Sequence, residues 1–263
     1  MTATALDPAF LEAWESRGYF RVDGFADAAT CAAIHDEIVE ICRRAAAGED
    51  LSPIFVEREE QDLGVRPNPE DVVSKVFRLH QGSVFRELAA RPDIVDLVAA
   101  IVGPDVDCFL SQFIFKNPGA WGQPWHQDSF YFPFEPARPV VGVWLAVTEA
   151  TLENGCLHVL PGSHAEPVHR HLVDRRPGAN TGYFEIVDHD ASSAEAVLMQ
   201  PGDLLVFDSH LMHRSTDNES SGIRAAMVYH YAAGGTVDRS QELFGYCIND
   251  WIPVRRASSR HTD

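Results

Sequence analysis

Two residues able to bind a metal stand close together near the middle of the chain. His126 and Asp128 are separated by one residue in the run PWHQDSFYF, residues 124–132. In an extended segment, side chains two residues apart point to the same side, so both can face one ion while Gln127 points away or to a neighbouring group. A hydrogen-bonded surface pair is the ordinary alternative, and a metal site needs a further ligand from elsewhere in the chain.

Two later histidines are candidates for that further ligand. His210 and His213 lie in the run DSHLMH, residues 208–213, and strand alternation would place them on opposite faces, so only one is expected to reach His126. Two histidines and one carboxylate on one face suit non-haem Fe(II) in oxygenases, because the open positions admit a bidentate cosubstrate and O2. A zinc hydrolase would use the same three ligands with a bound water.

Size and composition limit the classes of protein that could carry such a site. The 263 residues can bury a core without disulfides or a metal, so a bound metal is expected to serve chemistry. The net charge of −18 opposes binding to nucleic acid or to an anionic membrane surface. The five cysteines form no Cys-x-x-Cys pair, and the sequence shows neither a basic leader nor an apolar run of about 18 residues. A cytoplasmic protein is expected.

The elements that must position these ligands change in type along the chain. Apolar residues at helical spacing predict helices at about 7–17, 27–47 and 83–102, the last split near Arg91-Pro92, with strands near 18–25 and 72–79. From about 106 to 234, short apolar strands alternate with turns that contain Pro and Gly, as in an antiparallel sandwich or barrel. These strands are predicted at 108–116, 140–148, 155–160, 196–199, 203–207 and 224–231. The polar stretches 48–70 and 164–195 lack periodicity and are expected to be loops, of a kind that often covers an active site.

Several spaced motifs together resemble the phytanoyl-CoA dioxygenase family, over about residues 75–234. The motifs are His126-Gln127-Asp128, Trp144, Glu153-Asn154-Gly155-Cys156-Leu157, Pro161-Gly162-Ser163-His164, Gly202-Asp203, His213-Arg214-Ser215 and Arg224. The resemblance implies an Fe(II)- and 2-oxoglutarate-dependent oxygenase. It also implies a mainly β fold, a double-stranded β-helix of jelly-roll or cupin type, flanked by N-terminal helices.

On this basis residues 1–263 are expected to form a single oxygenase domain, since no linker or repeat separates its parts. A helical N-terminal part would cover about 1–105 and the β-helix core about 106–234. The C-terminal tail would cover 235–263.

The resemblance selects the third metal ligand. In the family the distal histidine is followed eleven residues later by an arginine, which matches His213 and Arg224 and leaves His210 as a nearby polar or packed histidine. His164 looks like a ligand but lies in a Pro-Gly turn and is not expected to bind iron. The implied iron ligands are His126, Asp128 and His213.

The resemblance also implies a binding site for 2-oxoglutarate. The planar guanidinium of Arg224 suits a bidentate pair with the distal carboxylate, and the Ser215 hydroxyl would add a hydrogen bond to it. Each residue has an ordinary alternative, since single Arg and Lys side chains are usually exposed charges, Trp is often core and Ser often a turn residue. The implied contacts are Arg224, Ser215, Trp144, Lys75, Gln127 and Gln112, which stands where some relatives have methionine.

Aromatic residues around the metal-binding run are candidates for substrate contact. They are Trp125, Phe130 and Phe132, with Trp121, Tyr131 and Phe134 as further candidates for the pocket wall. An acyl-CoA substrate fits the family analogy, whereas the lack of a basic cluster for the CoA phosphates favours a small metabolite. His169 and His171, in the insertion 164–195, are expected to face solvent.

The expected activity is hydroxylation of an unactivated C–H bond in a small, apolar metabolite. With Fe(II) bound, 2-oxoglutarate and O2 would be consumed, and succinate and CO2 released. The expected partner is a small-molecule substrate, with no nucleic acid, membrane or obligate protein partner. The alternatives are a sensor that binds metal and 2-oxoglutarate without hydroxylating, and a metal-dependent hydrolase.

Overall fold

The computed structural model describes residues 7–244 and 249–257, apart from the side chain of Phe244. The first six residues, Cys247 and parts of the predicted tail 235–263 lie outside the described residues. Within the described ranges, no helix is both long enough and apolar enough to cross a membrane. Cys31, Cys42, Cys108 and Cys156 are buried free thiols.

The helices of the described chain are α1 Pro8–Arg17, α2 Ala28–Ala46, α3 Ser83–Ala89, α4 Pro92–Val102 and α5 Ser240–Phe244. Local chemistry sets their ends. The Asp27 carboxylate accepts a hydrogen bond from the Thr30 backbone N–H at the start of α2, and Gly18 (φ +81°) ends α1 in the left-handed conformation. The predicted apolar stripe of α2 is buried: Cys31, Ile34, Ile38, Ile41 and Cys42.

The strands divide into two main sheets and two short pairs. They are β1 Tyr19–Val22, β2 Phe55–Arg58, β3 Val73–Phe77, β4 Val106–Lys116, β5 Phe134–Glu135, β6 Val140–Ala146, β7 Leu157–Val159, β8 His171–Val173, β9 Phe184–Ile186, β10 Glu195–Val197, β11 Leu204–Asp208, β12 His213–Ser215, β13 Arg224–Ala233, β14 Val237–Asp238 and β15 Ile252–Arg255. The large antiparallel sheet has the order β1-β11-β6-β13-β4-β3-β2, with β15 also paired to β4. The small sheet has the order β10-β7-β12.

The large and small sheets pack face to face. A buried cluster joins Trp144, Leu205 and Val228 of the large sheet to Val159 and Val197 of the small sheet. Two opposed antiparallel sheets with the helices on the outer face of one of them form a double-stranded β-helix. The predicted fold class is therefore confirmed.

Strand β13 shows how this arrangement serves both stability and the site. Met227, Tyr229 and Tyr231 face the helices and belong to the large apolar core. The alternate residues Arg224 and His230 point to the opposite face and line a cavity between the sheets. One strand therefore connects the helical layer to the polar interior.

Gly142 on β6 makes room for an aromatic ring beneath the site. A Cβ atom added at Gly142 would lie 2.3 Å from Cζ of Phe207. The Phe207 ring packs edge-on against His213, with 5.2 Å between ring centroids. A side chain at position 142 would displace the ring that supports His213.

Two stretches predicted as loops contain strands. Within 48–70, β2 pairs with β3, and within 164–195, β8 and β9 form a hairpin. The predictions of loops were wrong here because these strands are three or four residues long and partly exposed, so they carry little apolar periodicity.

The same two stretches are tied together by hydrogen bonds. Asn180 Nδ2 donates to Glu59 Oε2 (2.6 Å) and Ser74 Oγ (2.9 Å), and Asn180 Oδ1 accepts from the Glu60 backbone N–H (2.8 Å). The backbone N–H of Thr181 donates to the Glu60 carboxylate at 2.8 Å. Because Thr181 also lines the cavity, these bonds hold the β8–β9 hairpin over it.

Candidate active site

The three predicted metal ligands come together between the sheets. His126 and His213 form an isolated β-bridge with reciprocal backbone hydrogen bonds of 2.9 and 3.0 Å, and Asp128 begins a 3-10 turn. Their ligand atoms all lie within 4.8 Å of one another. Asp128 Oδ1 is 3.4 Å from Nε2 of His126 and 3.8 Å from Nε2 of His213. The expected extended backbone ends at Gln127, so pairing with β12, and not alternation alone, brings the ligands together.

The hydrogen bonds of the two histidines fit a metal site. Nδ1 of His126 lies 2.8 Å from the Pro124 carbonyl, and Nδ1 of His213 lies 2.9 Å from the Leu211 carbonyl. Because a carbonyl only accepts, each Nδ1 carries a proton, and each Nε2 points toward Asp128. Two imidazoles that present Nε2 and a carboxylate around one point are a donor set that fits Fe(II).

His230 on β13 holds the other oxygen of Asp128. Its Nε2 donates to Asp128 Oδ2 at 2.8 Å, and its side chain is only 1% exposed. The ring packs edge-on against Phe132, with 5.3 Å between centroids. This contact leaves Oδ1 as the oxygen that faces both histidine ligands.

The protonation states of the ligands suit metal binding. Burial raises the pKa of Asp128, but His213, His126 and His230 outweigh it and hold the pKa well below its usual range. Burial, followed by the charge of His126, lowers the pKa of His213 to about 4. Asp128 is therefore anionic and His213 neutral near neutral pH, which are the forms that bind a metal.

A cavity of about 320 Å³ adjoins the ligands. We call its deepest part, formed by Lys116, Ser215 and Arg224, the inner end. We call the part that reaches the surface, formed by Phe55, Glu57, Lys75 and Arg78, the outer end. Of the predicted cosubstrate contacts, Arg224, Ser215, Trp144, Lys75 and Gln112 all line the cavity.

Arg224 presents unused hydrogen-bond donors at the inner end. It is 2% exposed, its guanidinium carbon lies 5.6 Å from the centroid of the Trp144 ring, and Nη2 donates to the Gly155 carbonyl at 3.2 Å. Its Nε and Nη1 have no partner among the described residues. Burial lowers the pKa of Arg224 to about 10, so it remains a cation at neutral pH. A buried cation with free donors is suited to bind an anion.

Charges at the outer end are balanced within the protein. Lys75 lies directly opposite Glu57 in the β2–β3 register, and its Nζ is 5.0 Å from the centroid of the Tyr183 ring. Nε of Arg78 lies 2.9 Å from Oδ2 of Asp250. The outer end is therefore lined by one ion pair, by the oppositely charged neighbours Lys75 and Glu57, and by aromatic rings.

Gln127 lies outside the cavity, which corrects the expected cosubstrate contact. Its Nε2 donates to the His210 and Pro167 carbonyls (2.9 and 3.2 Å), and its Oε1 accepts from the His169 backbone N–H at 2.8 Å. These bonds use its polar atoms to brace the insertion 164–195. The side chain points away from the ligands, as alternation in an extended segment requires.

Only one of the three chosen substrate contacts lines the cavity, namely Phe132. Trp125 instead packs beside Arg214, 5.1 Å from its guanidinium carbon to the ring centroid. Phe130 is 38% exposed. The 3-10 turn that begins at Asp128 rotates the following side chains away from strand alternation. Of the further candidates, Trp121 and Tyr131 line the cavity and Phe134 does not.

The remaining predicted histidines lie outside the ligand cluster. His164 and His210 are buried and hydrogen-bonded, His210 Nδ1 to the Ser129 hydroxyl at 2.7 Å. His171 was expected to face solvent, and this was wrong. It is buried beneath the ring of Phe130, and its Nε2 accepts from the Gln127 backbone N–H at 3.0 Å.

Among the cavity residues missed from the sequence are the two basic side chains nearest in role to the predicted site, Lys116 and His230. The position of each one can be predicted by counting an even number of residues along a strand from a residue already chosen for the site. Lys116 is four residues after Gln112 on β4, and His230 is six residues after Arg224 on β13, so each shares a face with its partner. An even spacing from a known site residue was the signal that could have found them.

Comparisons with known proteins agree with this geometry. The family model described as phytanoyl-CoA dioxygenase matches residues 14–226. The peroxisomal phytanoyl-CoA dioxygenase of Bos taurus is 29% identical over 229 residues, which covers 83% of this chain and 66% of that protein. Methylphosphonate hydroxylase of Gimesia maris is 29% identical over 241 residues, covering 92% of this chain and 86% of that protein.

A solved structure shares the fold. The epimerase SnoN, in complex with Fe3+, alpha ketoglutarate and nogalamycin RO, superposes with a TM-score of 0.67 at 21% identity, over 88% of this chain and 87% of that one. Because the family model spans most of the sequence, the chain belongs to the phytanoyl-CoA dioxygenase family, the family of iron- and 2-oxoglutarate-dependent oxygenases predicted from its motifs.

Proposed function

We propose that this protein is an Fe(II)- and 2-oxoglutarate-dependent dioxygenase that hydroxylates a C–H bond of a small, apolar metabolite. The observation that carries the proposal is the combination, in one cavity, of a two-histidine, one-carboxylate cluster and a buried arginine with free donors. The cluster fits Fe(II), and the arginine fits the distal carboxylate of 2-oxoglutarate. The family assignment supports the same chemistry.

The residues of the chain divide the work between binding and orientation. His126, Asp128 and His213 would hold the iron, and His230 keeps Asp128 oriented through Oδ2. Arg224 and Ser215 would hold the distal carboxylate, so that the cosubstrate meets the metal in one orientation.

Iron and 2-oxoglutarate, when bound, would supply an oxidation that consumes O2 and 2-oxoglutarate, releases CO2, and places one oxygen atom in succinate and the other in the substrate C–H bond. The protein must also exclude water. The aromatic side chains of Trp121, Tyr131 and Phe132 line the cavity, and the β8–β9 hairpin covers it.

The cavity supports a small and largely apolar substrate. Its volume of about 320 Å³ is at the lower limit for small-molecule pockets, and the cosubstrate must share it. At the outer end Arg78 pairs with Asp250 and Lys75 lies opposite Glu57, so these basic groups do not call for a charged substrate. An acyl-CoA could place only its acyl end inside. The Gimesia maris relative is named for a small substrate, methylphosphonate, which agrees with the size.

The test is succinate formation by the purified protein with Fe(II), ascorbate, 2-oxoglutarate and air. We expect a slow basal release of succinate that rises when the substrate is supplied from a metabolite library. The Asp128→Ala variant should lose this release, because it lacks the carboxylate ligand.

Binding of 2-oxoglutarate without succinate from any mixture would indicate the sensor alternative. Succinate release that persists in Asp128→Ala would contradict the proposed metal site.

A further inference from the structure

Lys116 occupies a place in the cavity that the proposed function does not yet use. Of the 21 basic residues in the chain only two are lysines, Lys75 and Lys116, and both line the cavity. The compact ammonium of lysine changes its protonation readily when buried, whereas a guanidinium does not. A chain that uses arginine almost everywhere else thus has lysine at two positions of its cavity.

The surroundings of Lys116 provide hydrogen bonds but no ion pair within 4 Å among the described residues, and the carboxylates of Asp217 and Glu59 act on it from further away. The side chain is 3% exposed, and Nζ donates to Ser215 Oγ at 2.8 Å and to the Thr216 carbonyl at 2.6 Å. The ion pairs within 4 Å among the described residues include neither Lys116 nor Arg224. Gly155 makes room for this side chain, since a Cβ there would lie 2.7 Å from Lys116 Cδ. Two buried basic side chains therefore meet at the inner end.

The same contacts determine whether the Ser215 hydroxyl can donate or accept a further hydrogen bond. Its Oγ accepts from Lys116 Nζ and also from the Gln123 backbone N–H at 3.1 Å. A hydroxyl oxygen has two lone pairs, so both acceptor positions are filled and the Ser215 O–H is left as a donor. No acceptor for it occurs in the described part of the chain. The Ser215 proton is thus free for a ligand in the cavity.

We propose that Lys116 is a specificity-determining residue for the cosubstrate, which with Arg224 and Ser215 forms a three-donor site for one fully charged carboxylate. This inference rests on the proposed function, because it identifies that carboxylate as the distal one of 2-oxoglutarate. Two buried basic side chains that share no ion-pair partner cannot both carry a charge at low cost in the ligand-free protein. A carboxylate relieves this cost, whereas a 2-oxo acid that ends in a methyl group does not, so the site selects dicarboxylates.

The test compares two ligands in two lysine variants. Affinities of 2-oxoglutarate and of 2-oxopentanoate, which lacks the distal carboxylate, are measured by calorimetry without O2 on the Fe(II)-loaded protein. Lys116→Met should weaken 2-oxoglutarate by about 10- to 100-fold, the range for a hydrogen bond to a charged group, and change 2-oxopentanoate by less than about twofold. Lys75→Met is the matched comparison and should weaken 2-oxoglutarate less, because Glu57 and Tyr183 already accompany that charge.

Folding is followed in parallel. The ligand-free Lys116→Met protein should unfold at or above the wild-type temperature, since a buried unpaired cation has been removed. Equal losses for both ligands, or no loss for 2-oxoglutarate, would overturn the role of Lys116 while leaving the proposed function in place. A larger loss in Lys75→Met than in Lys116→Met would also overturn it. A wild-type protein that binds neither ligand would instead overturn the proposed function, and the inference with it.

Discussion

The inner and outer ends of the cavity differ in the partners of their basic side chains. At the inner end, Lys116 and Arg224 are buried basic side chains without an ion-pair partner within 4 Å among the described residues. At the outer end, Lys75 is less buried and lies opposite Glu57 in the β2–β3 register, and Arg78 pairs with Asp250. The outer end therefore has acidic groups beside its basic ones, whereas the inner end offers unused donors to an anion.

This difference separates the two ligands of the proposed reaction. A charged cosubstrate gains most from an end where unpaired cations are already fixed, because its binding removes the cost of burying them. A substrate at the outer end meets rings and neutralised charges, so shape decides what fits. Charge therefore selects the cosubstrate, and shape selects the substrate.

The largest effect should come from removing the inner-end arginine. Arg224→Met should weaken 2-oxoglutarate by about 100-fold or more, because at least two hydrogen bonds to a charged group are lost. Binding of the metal alone should stay within about twofold, since Arg224 touches none of the ligands. Calorimetric titrations with 2-oxoglutarate and with the metal measure these two affinities. An unchanged affinity for 2-oxoglutarate would place the distal carboxylate elsewhere and remove the contrast between the ends.

His230 lies between the two ends and should affect the metal instead. His230→Leu removes the donor to Asp128 Oδ2, and loss of such a contact typically weakens metal binding by about 10- to 100-fold. His230→Gln, which keeps a donor, should recover part of the affinity. His164→Leu is the matched control, since it is a buried histidine outside the ligand cluster. Cobalt(II) absorption titrations measure all three variants, and equal affinity in His230→Leu and wild type would contradict this role.

A smaller effect is expected from pH, at the inner end only. Burial first, and then the charge of Arg224, holds the pKa of Lys116 well below its usual range, while Asp217 and Glu59 oppose this and Arg176 adds to it. A bound carboxylate would raise that pKa, so binding takes up protons. Affinity for 2-oxoglutarate should then be greatest below the ligand-free pKa and fall with rising pH, by at most about tenfold per unit.

The measurement is calorimetry of 2-oxoglutarate and 2-oxopentanoate above about pH 7, where His213 stays neutral. The monocarboxylate should show the weaker dependence. The same slope for both ligands would mean that the proton is not taken up at the inner end.

The smallest effect should come from the cover of the outer end. Asn180→Ala removes the bonds to Glu59, Ser74 and the Glu60 backbone. Hydrogen exchange over residues 171–186 should rise, and succinate release without substrate should increase by about two- to fivefold, because water enters more often. Affinity for 2-oxoglutarate should not change. A large loss of that affinity would show that the two ends are coupled.

Strand positions were the most predictable part of the site. The metal ligands and Arg224 could be chosen because the resemblance fixes their spacing, and the fold brings them to one cavity. Lys116 and His230 were missed although alternation along β4 and β13 places both inside. The period-two rule showed that only one of His210 and His213 could reach the site, but it was not extended along the strands from residues already chosen.

Positions beyond strand ends were less predictable. Trp125, Phe130 and Gln127 were placed in the site by closeness in sequence, but alternation turns Trp125 and Gln127 away from His126, and the 3-10 turn that begins at Asp128 redirects Phe130. Strand β2 and the β8–β9 hairpin gave little signal, since a short edge strand takes its stability from its partner strand. Side-chain direction at such places depends on tertiary contacts that one sequence does not display.

The bridge between His126 and His213 bears on how the protein acquires its metal. Reciprocal backbone hydrogen bonds hold these two residues side by side, so the long loop between them is closed by the fold itself. The entropy of bringing the two imidazoles together is then a cost of folding and not of ion capture. We expect a chelator to remove the iron without unfolding the chain, and added Fe(II) to restore it without a refolding step.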